Sequence, residues 1–171
     1  MSEMHTVRRK TPLWWRRNVT ADDVGRVRGL LEASKLFSTA EIGLAAEMIA
    51  DRLEKGVRSQ YHFILTERGG ALSGFACFGP IDDTEDDDYD LYWIAVAPEE
   101  QGEGLGRELY ERAEAAMIKS GAKHIYAEAP NSVDFLKCRR FLQGLGFMEA
   151  ARLRHFRGPG EGKVIYEKQV G

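Results

Sequence analysis

The sequence is poor in cysteine, with only Cys77 and Cys138 in 171 residues. Their separation matches no metal-ligand spacing, and a disulfide between them is not expected in a reducing compartment. Cys77 reads as core filler. Long apolar runs are also missing. The longest uncharged stretch, Gly69 to Ile81, falls short of the ~18 residues a membrane helix needs, and the N-terminus lacks the apolar core of a signal peptide. A cytoplasmic protein with no membrane partner is expected. Neither sign of charge dominates: 24 Lys and Arg against 27 Asp and Glu leave a net charge of −3. The basic clusters Arg8-Arg9-Lys10 and Arg16-Arg17 are too short to offset this, so no nucleic-acid partner is expected.

What is present is enough for one core. A chain that is 43% apolar and 30% charged has the length of a single domain, taken here as residues 12–171 behind an N-terminal tail, 1–11. "PLWWRRNV" reads as a first strand, and Thr20 with Asp23 resembles a capping box opening a helix to about Ala33. Ser38 and Glu41 cap a second helix, with Ile42, Ala45, Met48, Ile49 and Leu53 at helical spacing and Gly56 at its end. "YHFILTE" and "ALSGFACFG" flank Arg68-Gly69-Gly70 as a hairpin. An acidic loop, Asp82 to Asp90, leads to the buried strand "LYWIAV", which Pro98 terminates. A helix follows, carrying Leu105, Leu109, Ala113, Ala116 and Met117 on one face and stopping at Gly121. "KHIYAEA" is a further strand, and Asn131 or Ser132 can cap a helix that ends near Gly144-Leu145-Gly146. "FMEAARLRHF" and "KVIYEKQ" pair across "RGPGEG" as a last hairpin. The expected class is α/β (α+β), a mixed sheet with helices on both faces.

Three glycines at alternate positions, Gly102, Gly104 and Gly106, lie between the strand ending at Val96 and the next helix. Free amides at a helix start, added to its dipole, favour an anion, and absent side chains let a phosphate approach the backbone. A Walker A loop would need Gly-Lys-Ser/Thr where Gly106-Arg107-Glu108 stands. A dinucleotide fingerprint starting at Gly102 would need glycine at Arg107. Both are excluded, and a phosphorylated ligand of another kind remains, against a plain turn.

Gln101, Gly104 and Gly106 form Gln-x-x-Gly-x-Gly, which resembles the acyl-CoA pyrophosphate loop of the GNAT acetyltransferase superfamily. "LYWIAVAPEEQGEGLGRELYERAE" looks like that family's fourth strand and third helix, and "CRRFLQGLGF" like its second motif. The ending "ARLRHFRGPGEGKVIYEK" looks like that of one branch. The resemblance spans residues 12 to 168 and implies a mostly antiparallel sheet with a splayed central strand pair. It also implies acetyl-CoA as co-substrate, no metal, and a small-molecule or peptide amine as acceptor. Carried over by position, backbone groups around Ile94 and Val96 would bond the pantetheine arm. Those of Gly102, Gly104, Leu105, Gly106 and Arg107 would receive the pyrophosphate, with Gln101 and Asn131 also on the cofactor side. Arg107, Lys137, Arg139 and Arg140 are candidates for the 3′-phosphate.

One departure concerns the acid. The family's usual tyrosine, which protonates the departing sulfur, is replaced by Leu142, and leucine donates nothing. Cys138, one helical turn earlier on the same face, could donate, or could be buried packing. An alkylammonium acceptor with a pKa near 10.4 is neutral in only about one molecule in 2,000 at pH 7, so a base is needed. Glu128, sharing a strand face with Tyr126 and His124, is the first choice, and Asp90 and Tyr92 on the preceding strand are next. His62 reads as a strand histidine, and His155 stands where the similar branch carries aspartate. The acidic loop could attract a cationic amine or simply be solvated; it lacks the EF-hand glycine for calcium. Trp14 and Trp15 adjoin Arg16 and Arg17, where one could stack on a ligand and at least one belongs to the core. Two alternatives stay open: a catalytically weakened acyl-CoA-binding or sensing module, supported by Leu142, and a scaffold whose sheet edges form a homodimer, opposed by the intact glycine loop.

Overall fold

The structure is a computed structural model that describes residues 11–82 and 87–171. The cluster Arg8-Arg9-Lys10, nearly all of the N-terminal tail and the centre of the acidic stretch lie outside the described residues. The chain forms β1 (Trp14–Arg16), α1 (Ala21–Ser34), α2 (Thr39–Lys55), β2 (His62–Arg68), β3 (Ala71–Pro80) and β4 (Asp88–Val96). It continues through α3 (Leu105–Lys119), β5 (His124–Pro130), α4 (Leu136–Gly144), β6 (Met148–Gly158) and β7 (Glu161–Gln169). The seven strands make one sheet in the order β1-β2-β3-β4-β5-β7-β6. All pairs are antiparallel except β4 with β5.

Strand alternation divides the sheet's residues between two cores. Phe63, Leu65, Phe75 and Cys77 pack against Val27, Leu31, Ile42 and Ile49 of α1 and α2. Ile64, Ala76, Phe78, Ile125 and Ala127 pack on the other side against Leu105, Leu109, Ala113 and Met117 of α3, with Leu142 of α4. The N-termini of α1 and α2 follow the expected capping chemistry. Ser38 Oγ accepts the Glu41 amide (3.2 Å) while the Glu41 carboxylate accepts the Ser38 amide (2.7 Å). At α1, Asp23 accepts the Thr20 amide (2.8 Å) and a two-pronged Arg16 guanidinium (2.6 and 2.7 Å). Burial pushes the Asp23 carboxyl up, but the Arg16 and Thr20 hydrogen bonds prevail and hold it below its ordinary value.

The centre of the sheet departs from regularity in two ways. β4 and β5 pair over only three positions, Asp88 with His124, Tyr89 with Ile125 and Asp90 with Tyr126. Beyond them the strands part, leaving the facing edges from Leu91 and from Ala127 onward without a ladder. In addition, β4 carries a bulge: Cys77 opposes Trp93 and Phe78 opposes Leu91, so Tyr92 is the extra residue. The bulge shifts the phase of the strand. Tyr92 and Trp93 both pack on the α1/α2 side, and Ile94 and Val96 then face the α3/α4 side with Leu91.

Three local expectations are corrected. Neither Asn131 nor Ser132 caps α4 through its side chain; a short 3-10 turn, Val133–Phe135, intervenes and Phe135 holds the N-cap position. Asn131 instead clamps the start of β7, donating its amide to Gly162 O (3.0 Å) and accepting the Gly162 amide on Oδ1 (3.2 Å). The last hairpin turns at Pro159-Gly160 alone, with Gly158 opposite Glu161 and Gly160 at φ +78°. β6 then bows out between Leu153 and Gly158, where its register with β7 jumps. Gly162 sits inside this bow with no room for a Cβ, which would strike Leu153 O and Arg154 O. β1 is also shorter than the sequence suggests. Trp14 is exposed, and Trp15 is half-buried against α3 with the Arg112 guanidinium 3.9 Å from its ring centre.

Candidate active site

The parting of β4 and β5 opens a cleft of about 680 Å³. Its walls come from both faces of the sheet. Leu91, Ile94, Val96, Ala127, Phe141 and Leu142 line the α3/α4 half, and Leu36, Phe37, Leu44, Met48, Trp93 and Phe135 the α1/α2 half. A passage through a sheet lets two reactants meet end to end while each binds on its own side.

At the α3 end the site is made of backbone. Gly102 and Gly104 have φ +85° and +82°, and nothing lies within 4 Å of where their Cβ atoms would be. The helical ladder of α3 opens with the Glu108 amide on Gly104 O (3.1 Å), so the amides of Leu105, Gly106 and Arg107 precede it. Anion binding is the ordinary use of such a terminus. Gly106 has a second reason to be glycine, since a Cβ there would meet the Phe141 ring at 3.2 Å. Gln101 lines the cleft and donates Nε2 to Val96 O (3.2 Å), tying the loop to the strand end. Two candidate phosphate cations are already engaged. Arg107 donates to Gly144 O (3.1 Å), and Arg139 donates to Pro130 O (2.7 Å) and Ser132 O (2.6 Å).

At the splay itself, alternation brings Asp90 and Tyr92 of β4 and Glu128 of β5 to the α1/α2 side. Asp90, half-buried at the last β4–β5 rung and not among the residues that line the cleft, is pushed up to about 6, first by burial and then by the nearby Glu128 charge. The Tyr92 phenol is raised by burial and by Asp90, and its ring packs edge-on against Tyr61 with centroids 5.4 Å apart. Glu128 is mostly exposed and accepts the Lys163 ammonium at 3.0 Å. Cys138 proves exposed on the cleft wall rather than buried in packing, and crowding of its thiol by the walls raises its pKa. Leu142, one helical turn further along α4, is buried.

The α1/α2 half also holds residues that carry no sequence signal. Phe37, in the turn between α1 and α2, packs edge-on against Trp93 (5.2 Å between centroids) and Phe135 (5.9 Å). Phe156, on the bow of β6, lies beneath the Lys163 ammonium, 4.0 Å from its ring centre. These aromatics come from four separate elements, so only the fold assembles them. Other flagged residues hold structure. Asp82, Asp87 and Asp88 of the acidic stretch bond Gln60 (2.6 Å), Lys123 (3.2 Å) and His124 (3.1 Å). His155 Nδ1 accepts the Gly160 amide (2.9 Å), and His62 stacks on Phe78 with its pKa lowered by burial.

The sheet thus parts around a glycine-started helix, with a half-buried carboxyl and a cleft at the parting. The model of the acetyltransferase (GNAT) family matches residues 26–147. A solved protein from Desulfovibrio desulfuricans, assigned to the same family, is 34% identical, covering 94% of this chain and 100% of its own at a TM-score of 0.90. This chain belongs to the GNAT acetyltransferase family. More distant folds include the ribosomal-protein-S18-alanine N-acetyltransferase of Escherichia coli, with 20% identity over 94% of this chain and 95% of that one and a TM-score of 0.72. A Salmonella typhimurium protein solved with acetyl-CoA has 19% identity over 93% and 94% of the chains and a TM-score of 0.70. No curated protein sequence matches the chain. Among the described residues, no helix is long and apolar enough to cross a membrane.

Proposed function

We propose that this protein transfers an acetyl group from acetyl-CoA to a primary amine by direct attack in a ternary complex, with Asp90 as the base. The observation that carries this reading is the placement of a carboxyl with a pKa of about 6 where β4 and β5 part. Such a group is largely ionised at pH 7 yet basic enough to take a proton, directly or through one water, from an ammonium entering the α1/α2 half. Glu128, already bonded to Lys163, adds negative charge that favours the ammonium's approach.

The cofactor's seat fits the residues present. The open space over Gly102 and Gly104 and the leading amides of α3 would hold the pyrophosphate, and the unladdered edge of β4 at Ile94 and Val96 would hold the pantetheine arm. Acetyl-CoA, when bound, supplies an activated thioester carbonyl. Leu142 donates no proton, and unless Cys138 on the same wall does so the sulfur would depart as thiolate, tolerable for a group whose reference pKa is about 8.5. Leu142 also favours a second reading, an acyl-CoA-binding module with little turnover. Calorimetric titration with acetyl-CoA, followed by release of free thiol against an amine panel, separates them. Binding with amine-dependent thiol release supports transfer; binding without it supports the module.

A further inference from the structure

We infer that the acceptor is a small primary amine carried on an apolar, aromatic body, seated on Phe37, Trp93 and Phe135 with its ammonium toward Asp90 and Glu128. This rests on the acyltransfer reading and narrows its substrate. Rings and hydrocarbon make up much of the α1/α2 half of the cleft, with the polar groups gathered at Ser34 and Glu41 and at Glu128, Glu161 and Lys163. At its mouth Leu36, Leu44 and Phe156 stand 46%, 52% and 56% exposed, an uncovered apolar rim around a concave site. The edge-on packing of Phe37 against both Trp93 and Phe135 makes a corner of ring faces and edges against which a further ring can pack at the same 5–6 Å spacing.

The polar groups on this side are few and largely committed. Ser34 Oγ donates to Leu31 O (2.6 Å), and the Glu41 carboxylate caps α2 through the Ser38 amide (2.7 Å). The hydroxyls of an aminosugar would therefore find few partners there besides Tyr92 and the carboxylates of Glu128 and Glu161, and most would enter unpaired. A peptide adding along β5 meets an edge that ends at Pro130, which has no amide hydrogen and whose carbonyl accepts Arg139 (2.7 Å). The charges suit a single cation. Glu128 and Glu161 line the cleft, Asp90 lies at the last β4–β5 rung beside it, and Lys163 is balanced by Glu128 and by the Phe156 ring.

The experiment uses the full chain with acetyl-CoA and four acceptors: 2-phenylethylamine, glucosamine, spermidine and an alanine-started hexapeptide. Initial rates are read as free thiol, and amine binding is read by calorimetry in the presence of CoA. The expected result is a kcat/KM for 2-phenylethylamine at least tenfold above the other three. Phe37→Ala should lower it a further tenfold through KM, with kcat within threefold and acetyl-CoA affinity unchanged. Phe156→Ala, on the exposed bow, should raise KM about threefold and guards against a folding defect at position 37. Equal rates across the panel, preference for the sugar, polyamine or peptide, or a KM indifferent to both substitutions would overturn the inference while leaving acyl transfer intact. Selectivity that follows the acyl chain of the CoA ester, without discrimination among amines, would also overturn it by assigning the apolar half to that chain. Phe37-dependent binding of 2-phenylethylamine with no thiol released would support the seat and sink the acyltransfer reading instead.

Discussion

The two walls of the cleft are built from different materials. On the α3 side, recognition would fall to main-chain amides and to the absence of side chains at Gly102 and Gly104. On the α1/α2 side it would fall to rings and aliphatic chains drawn from a loop, a helix, a strand, a 3-10 turn and a bowed strand. Backbone recognition of a phosphate needs only one bend, held by consecutive residues, and tolerates change elsewhere. Side-chain recognition depends on packing between distant segments, and each substitution there changes what fits. The first wall therefore suits a ligand shared by many proteins, the second a ligand particular to one.

Breaking this contrast is most direct at the parting itself. Asp90→Asn should lower kcat/KM by ~10²- to 10⁴-fold and remove the limb of the pH profile that rises through about 6 in the wild type, where the carboxyl ionises. The stability effect runs the other way. A carboxyl whose folded pKa is raised makes the native state less stable as pH climbs from about 4 toward 6, so the asparagine variant should melt higher at pH 7.5. An active variant with an unchanged pH profile would move the base elsewhere.

The next effect is on the frame of the acceptor wall. Arg16→Met leaves the fully buried Asp23 carboxylate without its two-pronged partner and should cost about 3–5 kcal/mol in chemical denaturation. Because the Asp23 pKa is depressed in the fold, its contribution is present above about pH 4 and lost as pH falls through the folded value. Wild type should therefore destabilise below pH 4 more steeply than a variant lacking the pair.

On the backbone wall, Gly104→Glu should weaken CoA at least 100-fold in a titration, since it sets a carboxylate in the phosphate's place and strains a residue at φ +82°. Position 104 is a cleaner probe than 106, where any side chain also meets Phe141 at 3.2 Å. Normal CoA affinity in folded Gly104→Glu would take the loop out of the site. The smallest effect belongs to Cys138→Ala, expected to change kcat less than threefold if, as proposed, the thiolate leaves without help. A drop of 100-fold would make this exposed thiol the acid.

Legibility in the sequence followed the same divide. The caps of α1 and α2, the strand-glycine-helix unit and both core faces were readable because each depends on residues within a few positions of one another: Ser38 with Glu41, Leu105 with Leu109. The bulge at Tyr92 was not, since it is defined by register against β3, and neither was the bow of β6, hidden behind a glycine-rich turn that suggested an ordinary hairpin. Glu128 ranked ahead of Asp90 from strand position alone; only the fold shows Glu128 exposed beside Lys163 and Asp90 sheltered. Phe37 and Phe135 each look like isolated apolar residues until the turn after α1 and the turn before α4 meet over Trp93.

The three-position pairing of β4 with β5 also divides the molecule into two leaves, β1 to β4 and β5 to β7, stitched at one end like a book at its spine. A pantetheine arm lying along the open edge would serve as a temporary strand, supplying hydrogen bonds that the polypeptide withholds. The cofactor would then be a structural member of the sheet for as long as it stays. In hydrogen exchange, the amides of 91–96 and 127–129 should slow when CoA is added, while those of 88–90 should change little.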